Sequence, residues 1–180
     1  MTNELKLHIG CGKRVLPGWT HIDTVLYPHI DFVTEAHNLK KIKDNSCTMI
    51  YASHVLEYYD WQEAETLVLP EWRRVLCPGG TLRVAVPDFL AICKLYLAGM
   101  KLDWFIGPLY GRMLSNEIIY HKCAYDELKL KEILKRVGFK NVHRYDWREV
   151  EHVDDHSQAY IPHMEKDKGV LISLNMECYK

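Results

Sequence analysis

Short apolar stretches separated by polar turn residues are the dominant pattern of the chain. LKLHIG at Leu5–Gly10 alternates apolar and polar positions and then meets a glycine, which predicts a strand followed by a tight turn. TLRVAVP at Thr81–Pro87 carries apolar residues on alternate positions and predicts another strand. The predicted strands are Leu5–Gly10, Trp19–Asp23, Ile30–Glu35, Cys47–Ser53, Thr81–Pro87, Asn141–Trp147 and Val170–Tyr179.

Two stretches have the composition and period of α-helices. Trp61–Gly80 is predicted to be helical in two pieces, because Pro70 breaks or kinks a helix and Pro78-Gly79-Gly80 stops it. Ala124–Phe139 predicts an amphipathic helix with Gly138 as its C-cap. Short apolar strands with helices between the later ones favour an α/β fold. We expect a mostly parallel sheet with a late antiparallel strand.

A glycine turn and an acidic residue follow the first two predicted strands. Gly10 and Gly12 allow a ligand to approach the backbone closely, because no Cβ intervenes. Asp23 ends the second strand, where a carboxylate can accept hydrogen bonds from both hydroxyls of a ribose. Ligands of such sheets bind at the carboxyl ends of the strands, so these residues predict a nucleotide-like cofactor.

The link between the two strands is unusually short. Only six residues separate Gly12 from Trp19, whereas a crossover with a helix needs about 10–12 residues or more. Pro17-Gly18 would also end a helix, so we expect the first crossover helix to be shortened or absent, with Val15, Leu16 and Trp19 covering the sheet. A pyrophosphate favours a helix N-terminus, so the link favours a phosphate-free cofactor such as S-adenosylmethionine over a dinucleotide.

Composition narrows the class of protein. The 180 residues, 48% of them hydrophobic, fit one domain spanning 1–180. A net charge of −1 disfavours a nucleic-acid-binding protein that depends on many phosphate contacts. The six cysteines form no CxxC pair, which predicts reduced thiols and a cytoplasmic location. No secretory signal is evident, and the apolar run Phe89–Met100 is too short to span a membrane.

Three segments carry a resemblance to a known family. Leu7–Asp23 (LHIGCGKRVLPGWTHID), His37–Trp61 (containing YASHVLEYYDW) and Glu71–Phe89 (EWRRVLCPGGTLRVAVPDF) resemble class I S-adenosylmethionine-dependent methyltransferases. The sequence is most similar to the small methyltransferase-11-like group often found alongside glycosyltransferases. This resemblance implies a Rossmann-like seven-stranded sheet of order 3-2-1-4-5-7-6 with strand seven antiparallel.

The resemblance also implies where the cofactor lies. Gly10, Cys11 and Gly12 would border its methionine part, Asp23 would hold the ribose, and Asn38 would accept from the adenine amine. His8 stands where the family commonly has Asp or Asn, and Thr48 and Tyr58 also depart from the family pattern. The predicted cofactor-binding residues are His8, Gly10, Cys11, Gly12, Asp23, Asn38, Leu39, Ser53 and His54.

Methyl transfer to a hydroxyl requires removal of a proton, so a general base is expected near the strand ends. The predicted catalytic residues are Asp88, His121, Asp155 and His54, and His163 is a further candidate. Each has an alternative: Asp88 is a natural helix N-cap, His121 an ordinary surface histidine, His54 a partner of backbone groups, and Asp155 part of a solvated loop. His152, Asp154, Asp155, His156 and His163 match no strong zinc spacing, and we predict no metal.

These observations give a leading function and an alternative. We expect a methyltransferase that uses S-adenosylmethionine to methylate a sugar hydroxyl of a glycan or glycan precursor, in possible association or fusion with a glycosyltransferase. The alternative is a non-catalytic domain that keeps the fold and binds a protein partner. An NAD(P)-dependent enzyme is disfavoured because no full GxGxxG is present. YASH after the fourth strand, in place of an NPPY-type motif, disfavours adenine or glutamine N-methylation.

Overall fold

A seven-stranded mixed sheet forms the centre of the protein. The computed structural model describes residues 4–111, 113–114, 117–118, 120–151, 155–162 and 169–180. We number the strands of the main sheet only, and their order is β3-β2-β1-β4-β5-β7-β6. They are β1 (Leu5–Ile9), β2 (Thr20–Asp23), β3 (Phe32–Val33), β4 (Cys47–Ser53), β5 (Leu76–Pro87), β6 (Lys140–Arg144) and β7 (Ser173–Tyr179).

The strand directions confirm the predicted Rossmann-like methyltransferase sheet. β1 pairs in parallel with β2 and β4, β2 with β3, and β4 with β5. β7 pairs antiparallel with both β5 and β6. The order of the strands in the sheet and the antiparallel direction of the last strand therefore agree with the expectation. Because β1, β2 and β4 are parallel neighbours, their carboxyl ends meet at one edge of the sheet.

Several of the predicted strand boundaries were wrong: the strand predicted over Ile30–Glu35 spans only Phe32–Val33, and the strand predicted to begin at Thr81 begins at Leu76. The predicted last strand splits, since Val170–Leu171 pairs with Tyr160–Ile161 in a separate hairpin and only Ser173–Tyr179 joins the main sheet. The strand predicted to reach Trp147 ends at Arg144, and Trp147–Glu149 forms a 3-10 turn. A second small hairpin joins Met113–Leu114 to Glu117–Ile118.

The helix before β5 is continuous through Pro70. Helix α1 spans residues 61–75, with α-helical Trp61–Glu63 and Leu69–Val75 flanking a π-helical Ala64–Val68. Of the expected break or kink at Pro70, the break does not occur, because the wide π turn precedes the proline and accommodates its missing donor and its ring. The helix ends at Val75, since Leu76 is already extended at ψ 136°. Pro78-Gly79-Gly80 therefore lies inside β5 and does not stop the helix.

The remaining helices are short and capped. α2 (Phe89–Leu97) begins at Asp88, and α3 (Ile106–Tyr110) follows a 3-10 turn at Leu102–Trp104. α4 (Glu127–Val137) confirms the predicted amphipathic helix and ends at Gly138, whose φ of 101° is left-handed. No helix among the described residues is long and apolar enough to cross a membrane.

The link between β1 and β2 contains turns and no helix, as predicted. Leu16 is buried and Trp19 is half-buried, so both cover the sheet, but Val15 is 49% exposed and does not. The Leu16 backbone N–H donates to Nε2 of the His21 ring at 2.9 Å. A hydrogen bond to His21 of β2 therefore holds the link against the sheet, where a crossover helix would otherwise pack. All six cysteines lie in the described part of the chain and are free thiols.

Candidate active site

A cavity of about 690 Å³ opens at the carboxyl ends of β1, β2 and β4. This size is typical of small-molecule sites, which measure about 300–1,000 Å³. Seven predicted cofactor-binding residues line it, namely His8, Gly10, Cys11, Gly12, Asp23, Ser53 and His54. Other lining residues are Arg14, Tyr27, Thr34, Glu35, Ala36, Tyr58, Tyr59, Tyr120, Asp155 and His156. The structure thus gathers most of the predicted cofactor set around one space.

The glycine turn brings its backbone close to the segment after β4. Gly10 has a φ of 66°, and a Cβ built on it would lie 2.3 Å from Cγ2 of Val55. Gly12 also has a positive φ, 56°, but a Cβ there would meet no atom within 4 Å. The two glycines therefore have different roles. Gly10 permits a close approach of two loops, whereas Gly12 only permits the turn.

Asp23 lines the cavity and holds the backbone of two other lining residues. Its Oδ2 accepts from the Gly12 backbone N–H at 2.8 Å, and its Oδ1 accepts from the Val25 N–H at 2.9 Å. Each carboxylate oxygen keeps acceptor capacity for a further donor, because a carboxylate has about four lone-pair sites. The residue can therefore fix the glycine turn and accept ligand hydroxyls together.

Cys11 also lines the cavity, and its thiol has a raised pKa. Burial raises the pKa of its thiol to about 12, and the negative charge of Asp23 adds to the rise. The thiol is therefore protonated at neutral pH, which disfavours a nucleophilic role because the thiolate is the nucleophile.

His8 and His21 lie on adjacent strands beneath the cavity. The His8 ring is buried and stacks on Tyr51 at 5.3 Å between centroids. Burial lowers the pKa of His21, the nearby His29 lowers it further, and Asp31 opposes the shift. Because the Leu16 N–H donates to Nε2 of His21, that nitrogen must be unprotonated in this arrangement.

We expect acid to weaken the fold through His21. The unfolded chain takes up a proton near pH 6.5, whereas the folded ring resists it to a lower pH. The stability contribution is therefore complete above pH 6.5 and falls as pH drops through the folded pKa. Urea unfolding at pH 7.5 and 5.5 checks this. His21→Gln keeps an acceptor for Leu16 and should lose less stability over that interval, and equal losses in the two proteins would contradict the account.

Asn38 and Leu39 lie outside this cavity. They line a neighbouring one of about 350 Å³ beside β3. Leu39 is buried, and its N–H donates to Oε1 of Glu71 on α1, while the Asn38 carbonyl accepts from the Thr34 hydroxyl. These bonds turn the loop so that Glu35, not Asn38, reaches the main cavity. The structure therefore does not bring the expected adenine partner to the site.

Asp88 serves as the N-cap of α2 and is absent from the cavity wall. Its Oδ1 accepts from the Leu90 and Ala91 N–H groups, at 3.1 and 3.2 Å. Its Oδ2 accepts from Nη2 of Arg144 at 3.1 Å. The carboxylate is buried and engaged on both oxygens, which supports the capping alternative over a base.

His121 is also outside the cavity wall. Its Nδ1 lies 2.9 Å from the Pro108 carbonyl oxygen, and the ring meets Tyr58 edge to face at 5.2 Å. Its Nε2 lies 4.0 Å from Oε1 of Glu57. The side chain is buried, unlike that of an ordinary surface histidine, and it contacts Tyr58, which lines the cavity.

Asp155 lines the cavity but is already bonded. It accepts from the Tyr51 hydroxyl at 2.5 Å and from the Ser157 N–H at 2.8 Å. Burial, with the Asp155 charge second, raises the pKa of Tyr51 above its ordinary value. The carboxylate therefore anchors the 3-10 turn His156–Gln158 to β4.

His54 sits at the end of β4 in a left-handed conformation, with φ 56°. Its backbone N–H donates to the Ala85 carbonyl at 2.8 Å. Its Nδ1 lies 3.0 Å from Oε1 of Glu57, and its Nε2 lies 3.3 Å from Oγ of Ser173. Non-glycine residues in this conformation are strained and concentrate at functional sites. The ring lines the cavity and faces a second histidine.

Two site residues were missed by the reasoning from sequence. Glu57 was quoted only as part of SHVLE, yet its side chain is fully buried between His54 and His121. His156 was considered only as a metal ligand, yet it lines the cavity with its ring centroid 5.4 Å from that of His54. His156 keeps an exposed edge, and partial desolvation lowers its pKa, with His54 and Arg14 lowering it further. The abundance of histidine around Asp155 was the available signal.

Among the described residues, no group of three or more His, Cys, Asp or Glu side chains is arranged to hold a metal ion. His152, Asp154 and His163, considered for a metal or as bases, lie outside the described residues.

One family model matches part of this chain. Residues 20–84 match the family described as "Methyltransferase domain". The search among curated proteins gave no match.

Similar solved structures share the fold. An S-adenosylmethionine-dependent methyltransferase from Methanosarcina mazei gives a TM-score of 0.61 at 19% identity, over 100% of this chain and 94% of that one. One from Archaeoglobus fulgidus gives 0.59 at 15% identity, over 98% and 86%. The 1,6-didemethyltoxoflavin-N1-methyltransferase of Burkholderia thailandensis, solved with 1,6-didemethyltoxoflavin and S-adenosylhomocysteine, gives 0.59 at 15% identity, over 98% and 70%. The methyltransferase-domain match and the shared fold together support an S-adenosylmethionine-dependent methyltransferase, with S-adenosylmethionine as its cofactor.

Proposed function

We propose that this protein transfers the methyl group of S-adenosylmethionine to a sugar hydroxyl of a glycan or glycan precursor. The observation that carries the proposal is the composition of the cavity. A glycine turn and Asp23 stand on one side, and two histidines, His54 and His156, face each other on the other. The first pair suits a ribose-bearing cofactor, and the second suits a substrate that must lose a proton.

The residues present fit the cofactor. Gly10 and Gly12 present backbone without a side chain to the cavity, and Asp23 retains lone pairs for ribose hydroxyls. Arg14 lies in the wall beside the glycine turn and suits the carboxylate of an amino-acid moiety. S-adenosylmethionine, when bound, supplies a methyl group already activated by its sulfonium. The chain has only to hold donor and acceptor in line and to accept a proton.

A hydroxyl acceptor agrees with the polar groups at the histidine end. An imidazole that is neutral near pH 7 can take the proton that a hydroxyl loses as it attacks. Tyr58 and Tyr120 line the same cavity, and aromatic faces pack well against the apolar faces of sugar rings. These features favour a sugar over a small, fully apolar acceptor.

The resemblance to a group found alongside glycosyltransferases adds a partner to the proposal. A glycosyltransferase that builds the same glycan would supply the acceptor, by association or by fusion. The six free thiols agree with a reducing, cytoplasmic setting for that work.

The test uses S-adenosylmethionine carrying a ¹³C-labelled methyl group and a panel of sugar nucleotides and oligosaccharides. We expect S-adenosylhomocysteine to form together with an O-methyl carbon signal on one sugar. The Asp23→Ala variant is the matched control and should form neither. Label on nitrogen or carbon would contradict the hydroxyl acceptor. Cofactor binding without transfer to any acceptor would favour the alternative, a non-catalytic partner-binding domain.

A further inference from the structure

The proton positions on His54 are fixed by a chain of hydrogen bonds that starts at Ser157. The Asn175 amide nitrogen Nδ2 donates to the Ser157 carbonyl at 2.8 Å, which orients the amide. The Asn175 Oδ1 then lies 2.9 Å from Oγ of Ser173. Because an amide oxygen has no hydrogen to give, the Ser173 hydroxyl must donate to it.

This leaves the Ser173 oxygen as an acceptor only towards His54. Nε2 of His54 lies 3.3 Å from that oxygen, so Nε2 must carry a hydrogen. The other ring nitrogen, Nδ1, lies 3.0 Å from Oε1 of Glu57, which is fully buried. A substrate hydroxyl would therefore have to compete with that carboxylate for Nδ1. Both ring nitrogens of His54 thus face groups of the protein.

The other predicted bases are equally committed. Asp88 caps α2 and pairs with Arg144, and His121 contacts the Pro108 carbonyl. Neither lines the cavity. Asp155 does, but it holds the Tyr51 hydroxyl and the Ser157 N–H.

His156 is differently placed. Asp155 caps the short turn on which it lies, and the turn packs against β7 and β5, so its backbone is held by buried contacts. Its ring lines the cavity beside that of His54, with 5.4 Å between the ring centroids. No described residue forms a hydrogen bond with its ring nitrogens, so one of them is available to a ligand.

We propose that His156 is the catalytic base that accepts the proton of the acceptor hydroxyl, and that Glu57 and Ser173 hold His54 as a positioning residue that donates hydrogen bonds. This inference rests on the proposed function. As the acceptor oxygen bonds to the methyl carbon, the carbon–sulfur bond breaks and its electron pair stays on sulfur. The hydroxyl proton passes to a His156 ring nitrogen and is later released to water.

The charges around His156 suit this role. His54 on the segment after β4 and Arg14 on the β1–β2 link disfavour its imidazolium, and Asp155 and Glu57 favour it. The balance, with desolvation as the largest contribution, lowers its pKa, so the ring is neutral and able to accept a proton near pH 7.

The experiment compares His156→Gln with His54→Gln by calorimetry with S-adenosylhomocysteine and by the pH profile of kcat/KM. We expect His156→Gln to bind S-adenosylhomocysteine within about threefold of the wild type, and to lose about 100-fold or more in kcat with the acidic limb of its profile. His54→Gln should lower kcat but keep that limb. If the wild type transfers methyl groups but His54→Gln loses the acidic limb and His156→Gln keeps it, the role of His156 is overturned and the proposed function is not.

A second readout does not depend on the acceptor. In ¹⁵N NMR of the chain bound to S-adenosylhomocysteine, His54 should show a protonated Nε2 at neutral pH, and His156 should titrate as an exchanging imidazole. An unprotonated Nε2 on His54 would overturn the inference. Absence of methyl transfer by the wild type with every hydroxyl acceptor would instead overturn the proposed function on which it rests.

Discussion

Replacing Asp23 with alanine is expected to weaken binding of S-adenosylmethionine and S-adenosylhomocysteine by about 100-fold or more. The carboxylate lines the cavity and is proposed to accept from ribose hydroxyls, and hydrogen bonds to a charged group contribute about 1.5–3 kcal/mol each. Losing about 3 kcal/mol corresponds to about 100-fold in the dissociation constant. Isothermal titration calorimetry on the wild type and the variant measures the effect, and NAD should bind to neither.

Asp23 also braces the glycine turn, so the alanine variant needs a control. Asp23→Asn keeps one side-chain oxygen that can accept from Gly12 or Val25, and it removes the negative charge. We expect an intermediate loss of affinity with a thermal midpoint near that of the wild type. Unchanged affinity in a folded Asp23→Ala protein would show that the ribose is held elsewhere.

Gly10→Ala is expected to destabilise the protein by about 2–5 kcal/mol. The left-handed backbone at φ 66° costs a non-glycine residue about 1–2 kcal/mol. The new Cβ would also lie 2.3 Å from Cγ2 of Val55, and overpacking of this kind costs about 1–3 kcal/mol. Urea unfolding of the variant and the wild type at pH 7.5 gives the difference in free energy of unfolding.

Gly12→Ala is the matched control for this clash. Its backbone is also left-handed, at φ 56°, but its added Cβ meets no atom within 4 Å. It should cost only about 1–2 kcal/mol. Adding Val55→Ala to Gly10→Ala removes the clashing methyl and should relieve part of the overpacking. Equal destabilisation by the two single variants would contradict the close approach of the glycine turn to Val55.

The sheet could be predicted from the sequence because each strand is marked by its own alternating residues and by the turn residues beside it. Alternation at Leu5–Gly10 and Thr81–Pro87, with turn residues after them, determines which residues are strands and where ligands meet them. The shortness of the β1–β2 link correctly excludes a helix. Seven residues in the wall of the 690 Å³ cavity were predicted as cofactor-binding residues because they lie at the glycine turn or at strand ends.

Helix irregularity was harder to predict. Pro70 disrupts a regular α-helix, but the preceding π turn at Ala64–Val68 depends on how α1 packs against the sheet and α4. Trp72 and Leu69 on this helix are fully buried, and this tertiary packing outweighs the local preference of the proline. Pro78-Gly79-Gly80 carries strong turn chemistry, and it lies within β5 at the place where the pairing with β4 shifts register, between the pairs Cys47–Leu76 and Met49–Thr81.

The histidine side of the site depends on contacts between distant parts of the chain. The bond between His54 and Ser173 joins residues 119 positions apart, and no sequence pattern reports it. Glu57 lies three residues after His54, but only the fold shows that it is buried between two imidazoles. Asn38 was expected at the cofactor on a resemblance, and the structure places it in the wall of the neighbouring 350 Å³ cavity, where Leu39 and Thr34 hydrogen-bond the loop.

The most direct test of the central claim is a crystal structure of the protein with S-adenosylhomocysteine. We predict that the ligand occupies the 690 Å³ cavity, with its ribose hydroxyls within hydrogen-bonding distance of Asp23 and its sulfur directed towards the side lined by His54 and His156. A ligand bound outside this cavity, or bound within it with the ribose away from Asp23, would contradict the account.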